Sequence, residues 1–134
     1  MRILCLDIGD VRIGVAVSDP LGISTNGIET HQSRGRENDV EYFTSLAASL
    51  HAELILLGLP LNMDGTEGDR AEKVREFGAA LALRSGLPVE YEDERLTTVE
   101  AEEMLIEAGL SRQERRKVID KVAAEIILRS YLNK

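Results

Sequence analysis

Residues 2–18 run Arg2-Ile3-Leu4-Cys5-Leu6-Asp7-Ile8-Gly9-Asp10-Val11-Arg12-Ile13-Gly14-Val15-Ala16-Val17-Ser18. Residues 2–8 read as a strand. Alternation sends Ile3 and Cys5 to one side and Leu4, Leu6 and Ile8 to the other. Both sides are apolar, which predicts a central strand in a sheet covered on both faces. Gly9-Asp10 is a two-residue hairpin signal. Residues 11–18 then alternate again, with Val11, Ile13, Val15 and Val17 on one face and Arg12, Gly14, Ala16 and Ser18 on the other. The small residues of that second face let a neighbouring element approach the backbone closely. Asp19-Pro20-Leu21-Gly22 is a turn, and a weaker third strand over 24–31 rests on Ile28 and Thr30.

Working outward, residues 33–37 are polar and read as a mobile loop. A helix is predicted over 39–50 from the stripe Val40, Phe43, Leu46, Ala47, Leu50. Residues 53–58 form a continuous apolar run of the buried, parallel-sheet kind. After a loop at 59–65, Thr66-x-x-Asp69 predicts the cap of a helix striped by Ala71, Val74, Phe77 and Leu81. Gly86 stops that helix, and a short strand spans 89–92. Thr97-x-x-Glu100 and Ser111-x-x-Glu114 each predict a capping box opening a further helix. The order predicts an α/β fold: a mixed five-stranded sheet, its first three strands antiparallel, flanked by helices. No repeat, low-complexity tract or linker interrupts residues 1–134, which read as a single domain.

Composition narrows the function. Hydrophobic residues are 43% of the 134, enough for a packed core and too many for a disordered chain. The net charge of −8 argues against tight non-specific nucleic-acid binding, which needs clustered Lys and Arg. Aromatics at 4% leave little for a base-stacking platform. No apolar run approaches the roughly 18 residues of a membrane span, and the N-terminus does not read as a signal peptide. The single cysteine, Cys5, cannot form an internal disulfide; it reads as a buried thiol in a reducing, cytoplasmic compartment. His31 and His51 lack zinc-site companions and read as ordinary surface or edge residues.

Three acidic positions stand where a merely solvating carboxylate is not expected. Asp7 lies near the strand end on the face of Ile3 and Cys5, where a carboxylate is costly unless paired. It reads either as a residue bonded to the hairpin or as a metal ligand. Asp93-Glu94-Arg95 follows the last strand. Its acids suit the start of a helix, or a ligand position beyond the carboxyl end of a strand. Asp120 shares a helical face with Ala124, Ile127 and Tyr131, so it points inward. It reads as a buried ion pair with Lys117, Lys121 or a distant arginine, or again as a ligand. Were the three to converge, they would repel unless a cation neutralised them. Hard divalent ions, Mg²⁺ or Mn²⁺, take such oxygen ligands. Two of them about 4 Å apart can activate water and stabilise the leaving oxygen in phosphodiester hydrolysis.

Four stretches resemble the motifs of the YqgF/RuvX family, in the family's order and across nearly the whole chain. They are Leu6 to Asp19 (LDIGDVRIGVAVSD), Gly58 to Glu67 (GLPLNMDGTE), Asp93 to Thr98 (DERLTT) with Glu100-Ala101, and Asp120 with Ala123-Ala124, Ile127-Leu128 and Tyr131-Leu132. The resemblance implies an RNase H-like fold and a metal-dependent endonuclease, a hydrolase acting on ester bonds. It also implies a place in ribosome biogenesis, at the 5′ end of pre-16S ribosomal RNA. By that resemblance Asp7, Glu94 and Asp120 are the catalytic and metal-binding carboxylates, with Asp93 a contender for the middle place, and two ions bind with substrate.

Arg12, Arg95 and Asn62 are candidates for holding the phosphate backbone. For Arg12 an internal ion pair is the competing reading; for Asn62 it is a loop-closing turn. Gly9 and Gly14 are expected to give the substrate steric access beside Asp7. Arg112, Arg115, Arg116 and Lys117 read as a solvated helix face or as an edge of the nucleic-acid path. Asp10 stands where the family more often has an uncharged or basic residue, so it is either a turn residue or a negative charge near the phosphate path. The expected partner is structured RNA, acted on by a monomer or homodimer with no membrane involved. The alternatives are a Holliday junction resolvase acting on four-way DNA, which favours a dimer, and a non-catalytic nucleic-acid or protein interaction domain.

Overall fold

The computed structural model describes residues 1–134. Its elements are β1 (Ile3–Ile8), β2 (Arg12–Ser18), β3 (Thr25–Gln32), α1 (Arg36–Ser49), β4 (Leu54–Leu59), α2 (Asp69–Ser85), β5 (Val89–Asp93), α3 (Thr97–Glu107) and α4 (Arg112–Leu132). They build one five-stranded sheet in the order β3-β2-β1-β4-β5. β1 pairs antiparallel with β2, and β2 with β3, while β1–β4 and β4–β5 are parallel. β1 is therefore the central strand that its two-sided apolar pattern predicts.

The two faces of β1 enter two cores. Leu4 and Leu6 pack with Phe43 and Ala47 of α1 and with Val74, Phe77 and Leu81 of α2. Ile3 and Cys5 pack instead with Ala124, Ile127 and Leu128 of α4. Each large side chain fully removed from water there contributes about 1.5–3 kcal/mol. A third, smaller cluster joins α3 to α4 through Ala101, Ala123 and Ile126. Cys5 is fully buried as a free thiol, and burial pushes its pKa well up, so it is inert in the way the sequence suggests.

Several local expectations are corrected. The β1–β2 connection is longer than a two-residue turn: Ile8 pairs with Ile13, Gly9 N–H donates to the Arg12 carbonyl at 2.9 Å, and Val11 is exposed at the tip. α1 begins three residues before the predicted start, after Gly35. The loop at 33–35 is anchored to it, because the Asp39 carboxylate accepts from Ser33 Oγ at 2.6 Å and from Arg34 N–H at 3.0 Å. Asp39 also lies 3.0 Å from His31 Nε2. His31 is consequently buried and stacked on Tyr42, not an ordinary surface residue. α2 starts after Gly68, since Thr66 turns its hydroxyl to Asp64 and accepts from Asn62 instead of capping. α3 has no capping box: Thr97 is buried and its N–H is bound to the Glu94 carbonyl, with Leu96 in the left-handed region at φ 68°. The box at Ser111 and Glu114 does form, at 2.8 and 3.2 Å. No helix is long and apolar enough to cross a membrane.

Candidate active site

Parallel β1, β4 and β5 end on one edge of the sheet, where their carboxyl ends leave a crevice of the kind that ligands occupy. Asp7 stands there on β1, directly opposite Gly14 of β2. Glu94 follows β5, its N–H bonded to the Leu59 carbonyl at 3.2 Å. Gly58 on β4 makes the space for it, because a Cβ at that position would lie 2.5 Å from Glu94 Oε2 and 2.7 Å from Ile127 Cδ1. Asp120 is delivered by α4, which comes close enough to β2 that a Cβ on Gly14 would collide with the backbone of Asp120 itself.

Asp7 and Glu94 meet. Burial pushes the Glu94 carboxyl up to about 9, helped by its hydrogen bond to Asp7 and by the negative charge of that neighbour. The pair thus holds a shared proton at neutral pH. Burial also raises Asp7, the hydrogen bond from Glu94 lowers it, and the nearby charge of Asp120 raises it. Two carboxyl groups in a half-buried site cannot both ionise cheaply.

Asp93 does not join them. It is exposed and accepts from Arg95 through Nε at 2.9 Å, Nη2 at 2.8 Å and the backbone N–H at 2.9 Å. The Arg95 hydrogen bonds hold its carboxyl below the ordinary range. Alternation holds to the end of β5: Tyr91 lies against Gly78 of α2, Glu90 and Glu92 accept from Tyr131 and Ser130 of α4, and Glu94 continues that even-numbered face beside Ile127.

The other candidates are largely occupied by internal partners. Arg12 Nε donates to Asp120 Oδ2 at 2.9 Å, which joins the ion-pair reading of both residues in one contact. Arg95 is held by Asp93 and by the Met63 carbonyl at 3.1 Å. Asn62 closes its loop, donating to Thr66 Oγ1 at 2.9 Å and, through its N–H, to the Thr66 carbonyl at 2.8 Å. Gly14 seats α4 and is covered by it, which corrects the expectation of substrate access there. Gly9 lines an open groove. Of the basic run on α4, Arg115 is tied to Glu102 at 2.7 Å, while Arg112, Arg116 and Lys117 are exposed.

Two residues escaped the sequence reading. Gly58 is one; it reads as the end of an apolar strand, not as a cradle for a carboxyl at the end of the next strand. Arg70 is the other: its positive charge bears on both Asp7 and Glu94. A cation in the first turn of a helix opposes the helix dipole, and that misfit is a signal legible in the sequence.

All-oxygen donors in this arrangement fit a hard divalent cation. Asp7 and Glu94 already touch; Asp120 is turned to Arg12, and nowhere do three His, Cys, Asp or Glu side chains close into a metal-holding cluster.

The fold is that of an α/β domain of the RNase H-like class. The Thermus thermophilus RuvC structure in complex with a Holliday junction substrate superposes with a TM-score of 0.62 at 15% identity, covering 100% of this chain and 97% of that one. The fowlpox virus resolvase in its junction DNA complex gives 0.63 at 14% identity, covering 99% and 97%. At those identities the likeness establishes the fold.

The family profile RuvX, described as Holliday junction resolvase, matches residues 1–134, and the chain belongs to that family. A relative from Halothermothrix orenii is 52% identical over 133 residues, 99% of this chain and 95% of its own length. One from Clostridium kluyveri is 47% identical over 134 residues, 100% and 98%. Both bear the name "Putative pre-16S rRNA nuclease".

Proposed function

We propose that this protein, acting as one domain over residues 1–134, is a divalent-metal-dependent endonuclease. It hydrolyses phosphodiester bonds in structured RNA, in the cytoplasm, at the 5′ end of pre-16S ribosomal RNA. The observation that carries the chemistry is the Asp7–Glu94 carboxyl pair, with the Glu94 carboxyl pushed up to about 9 and the charge of Asp120 bearing on Asp7. The names of the relatives supply the substrate.

Asp7, Glu94 and Asp120 would hold Mg²⁺ or Mn²⁺, which when bound supplies a Lewis acid for water and phosphate. The protein's own part is positioning. Asp7 is fixed by the central strand, Glu94 by the room Gly58 leaves, and Asp120 by the backbone seat on Gly14. Arg12 keeps Asp120 oriented. To hold a cation the Asp7–Glu94 pair would have to give up its proton, so metal affinity would weaken as pH falls.

A second reading, cleavage of four-way DNA junctions, is favoured by the description of the family profile. The test is Mn²⁺ titration by calorimetry of wild type, Asp7→Asn and Asp120→Asn, with RNA and four-way DNA cleavage run on the same samples. Wild type is expected to bind metal and cut RNA in preference to the junction, and both folded variants to lose both properties. A wild type that binds no metal and cuts neither substrate would leave a non-catalytic interaction domain.

A further inference from the structure

Beside the carboxylates, a groove runs between the β1–β2 turn and the first two turns of α2. It is lined by Gly9, Asp10, Pro60, Arg70 and Lys73. It adjoins a second hollow that shares Gly9 and Lys73 and reaches Arg36 at the start of α1. Its volume, about 250 Å³, is below that of the usual enclosed small-molecule pocket of roughly 300–1,000 Å³. Ile8 and Val74 also line it, but its three charged residues, Asp10, Arg70 and Lys73, suit a charged chain crossing it better than an enclosed apolar ligand.

The groove carries free positive charge, as does the exposed run Arg112, Arg116 and Lys117 on α4. In a protein of net charge −8, most exposed arginines near the site are spent on internal partners: Arg12 on Asp120, Arg36 on Glu76, Arg75 on Glu67 and Arg95 on Asp93. Arg70 and Lys73 are exposed and make no ion pair. They lie three residues apart on one face of α2, about 4.5 Å along its axis. Asp10 is exposed across the groove from them, also unpaired.

We infer that this groove seats the nucleic-acid phosphate backbone next to the bond being cut, with Arg70 and Lys73 as its two phosphate contacts and Asp10 as an opposing charge that holds affinity down. The inference rests on the nuclease reading and adds the route of the substrate to it. Arg70 and Lys73 are positioning residues. Arg70, nearer the carboxylates, orients the phosphate beside them; Lys73 grips the next one outward toward α1. Asp10 weakens the grip and so favours release of the product. Arg12 and Arg95, the arginines that the motifs single out, stay with their carboxylate partners.

The test uses the full chain and a fluorescein-labelled RNA duplex with a single-stranded 5′ extension. Binding is followed by anisotropy in EDTA across a salt series, and cleavage in Mn²⁺ across RNA concentrations. Arg70→Ala/Lys73→Ala is expected to bind about tenfold more weakly and to lower the salt slope by about 1.4, the share of two phosphates on a single strand. Its KM should rise more than its kcat falls. Arg70→Lys/Lys73→Arg should restore the slope. Asp10→Asn should bind more tightly and turn over more slowly at saturation, the opposite sign, which a loss of folding cannot produce. Arg84→Ala, at the far end of α2 and paired with Glu41, should match wild type.

Unchanged slope and KM in the double alanine variant, with wild type binding and cutting RNA, would overturn the inference and leave the nuclease reading standing. So would an Asp10→Asn variant that binds no more tightly. A wild type that neither binds nor cuts would overturn both.

Discussion

Replacing Glu94 by Gln removes a titration and nothing else of size, so it isolates what the carboxyl pair does to stability. In the unfolded chain Glu94 ionises near 4.5; in the folded, metal-free protein burial and Asp7 hold it protonated up to about 9. Between those values the folded state binds one more proton than the unfolded state. Stability therefore falls as pH rises through that window, by up to about 1.4 kcal/mol per pH unit. From pH 5 to pH 8 the ceiling is about 4 kcal/mol, and the partial exposure of Glu94 reduces it to about 2–3 kcal/mol.

Glutamine keeps the shape and the hydrogen bond to Asp7 without the titration. The variant and wild type should be nearly equal in stability at pH 5, and the variant more stable by about 2–3 kcal/mol at pH 8. Urea unfolding in EDTA at pH 5, 6, 7 and 8 measures the difference directly. Saturating Mn²⁺ should narrow the gap at pH 8, because an ion bound only by the folded state stabilises wild type preferentially. A difference between the two proteins that does not change with pH would refute the reasoning and separate Glu94 from Asp7.

Gly14→Ala forces a methyl group into the backbone of Asp120 and should lift α4 from the sheet. Urea unfolding should show a loss of at least about 3 kcal/mol, and calorimetry a loss of Mn²⁺ affinity. Asp39→Ala strands the buried His31 ring, the Ser33 hydroxyl and the Arg34 N–H, at a cost of about 2–4 kcal/mol by the same assay, with hydrogen exchange accelerated in residues 33–35. Burial raises the Asp39 carboxyl, but its hydrogen bonds from Ser33, Arg34 and His31 outweigh that and leave it below its ordinary value. Its contribution is therefore present above pH 4 and lost on further acidification, which acid titration of wild type against Asp39→Asn will show. Ser111→Ala breaks a capping box on an exposed helix end and should cost about 1 kcal/mol without touching cleavage, as read by thermal unfolding and the RNA assay.

Period-2 alternation in β1 and β2 made the centre of the sheet legible, because each face had its own apolar set to bury. The α4 stripe likewise turned Asp120 toward the sheet, and the ion pair with a distant arginine was open from the start. What stayed hidden depends on where chains cross in space. The gap at Gly58 that receives Glu94 has no periodic signature, although alternation along β5 does carry Glu94 on the α4-facing side of Glu90 and Glu92 and leaves Asp93 on the other. His31 looked unremarkable because its partners, Asp39 and Tyr42, sit on the next element. Thr66 and Thr97 carry the letters of helix caps, yet tertiary hydrogen bonds claim one and burial the other. Arg70 lies outside the four motifs, while the motif arginines Arg12 and Arg95 are paired with Asp120 and Asp93.

The seat of α4 on Gly14 ties together residues 106 positions apart, and the Arg12–Asp120 bond spans 108. Until α4 docks, Ile3, Cys5, Leu54 and Leu56 have no cover on that side of the sheet. Contacts of such long sequence separation form late and slowly. A chain still being synthesised thus has Asp7 and Glu94 before it has Asp120, and on the reading proposed above the three carboxylates are together only once the last helix has docked.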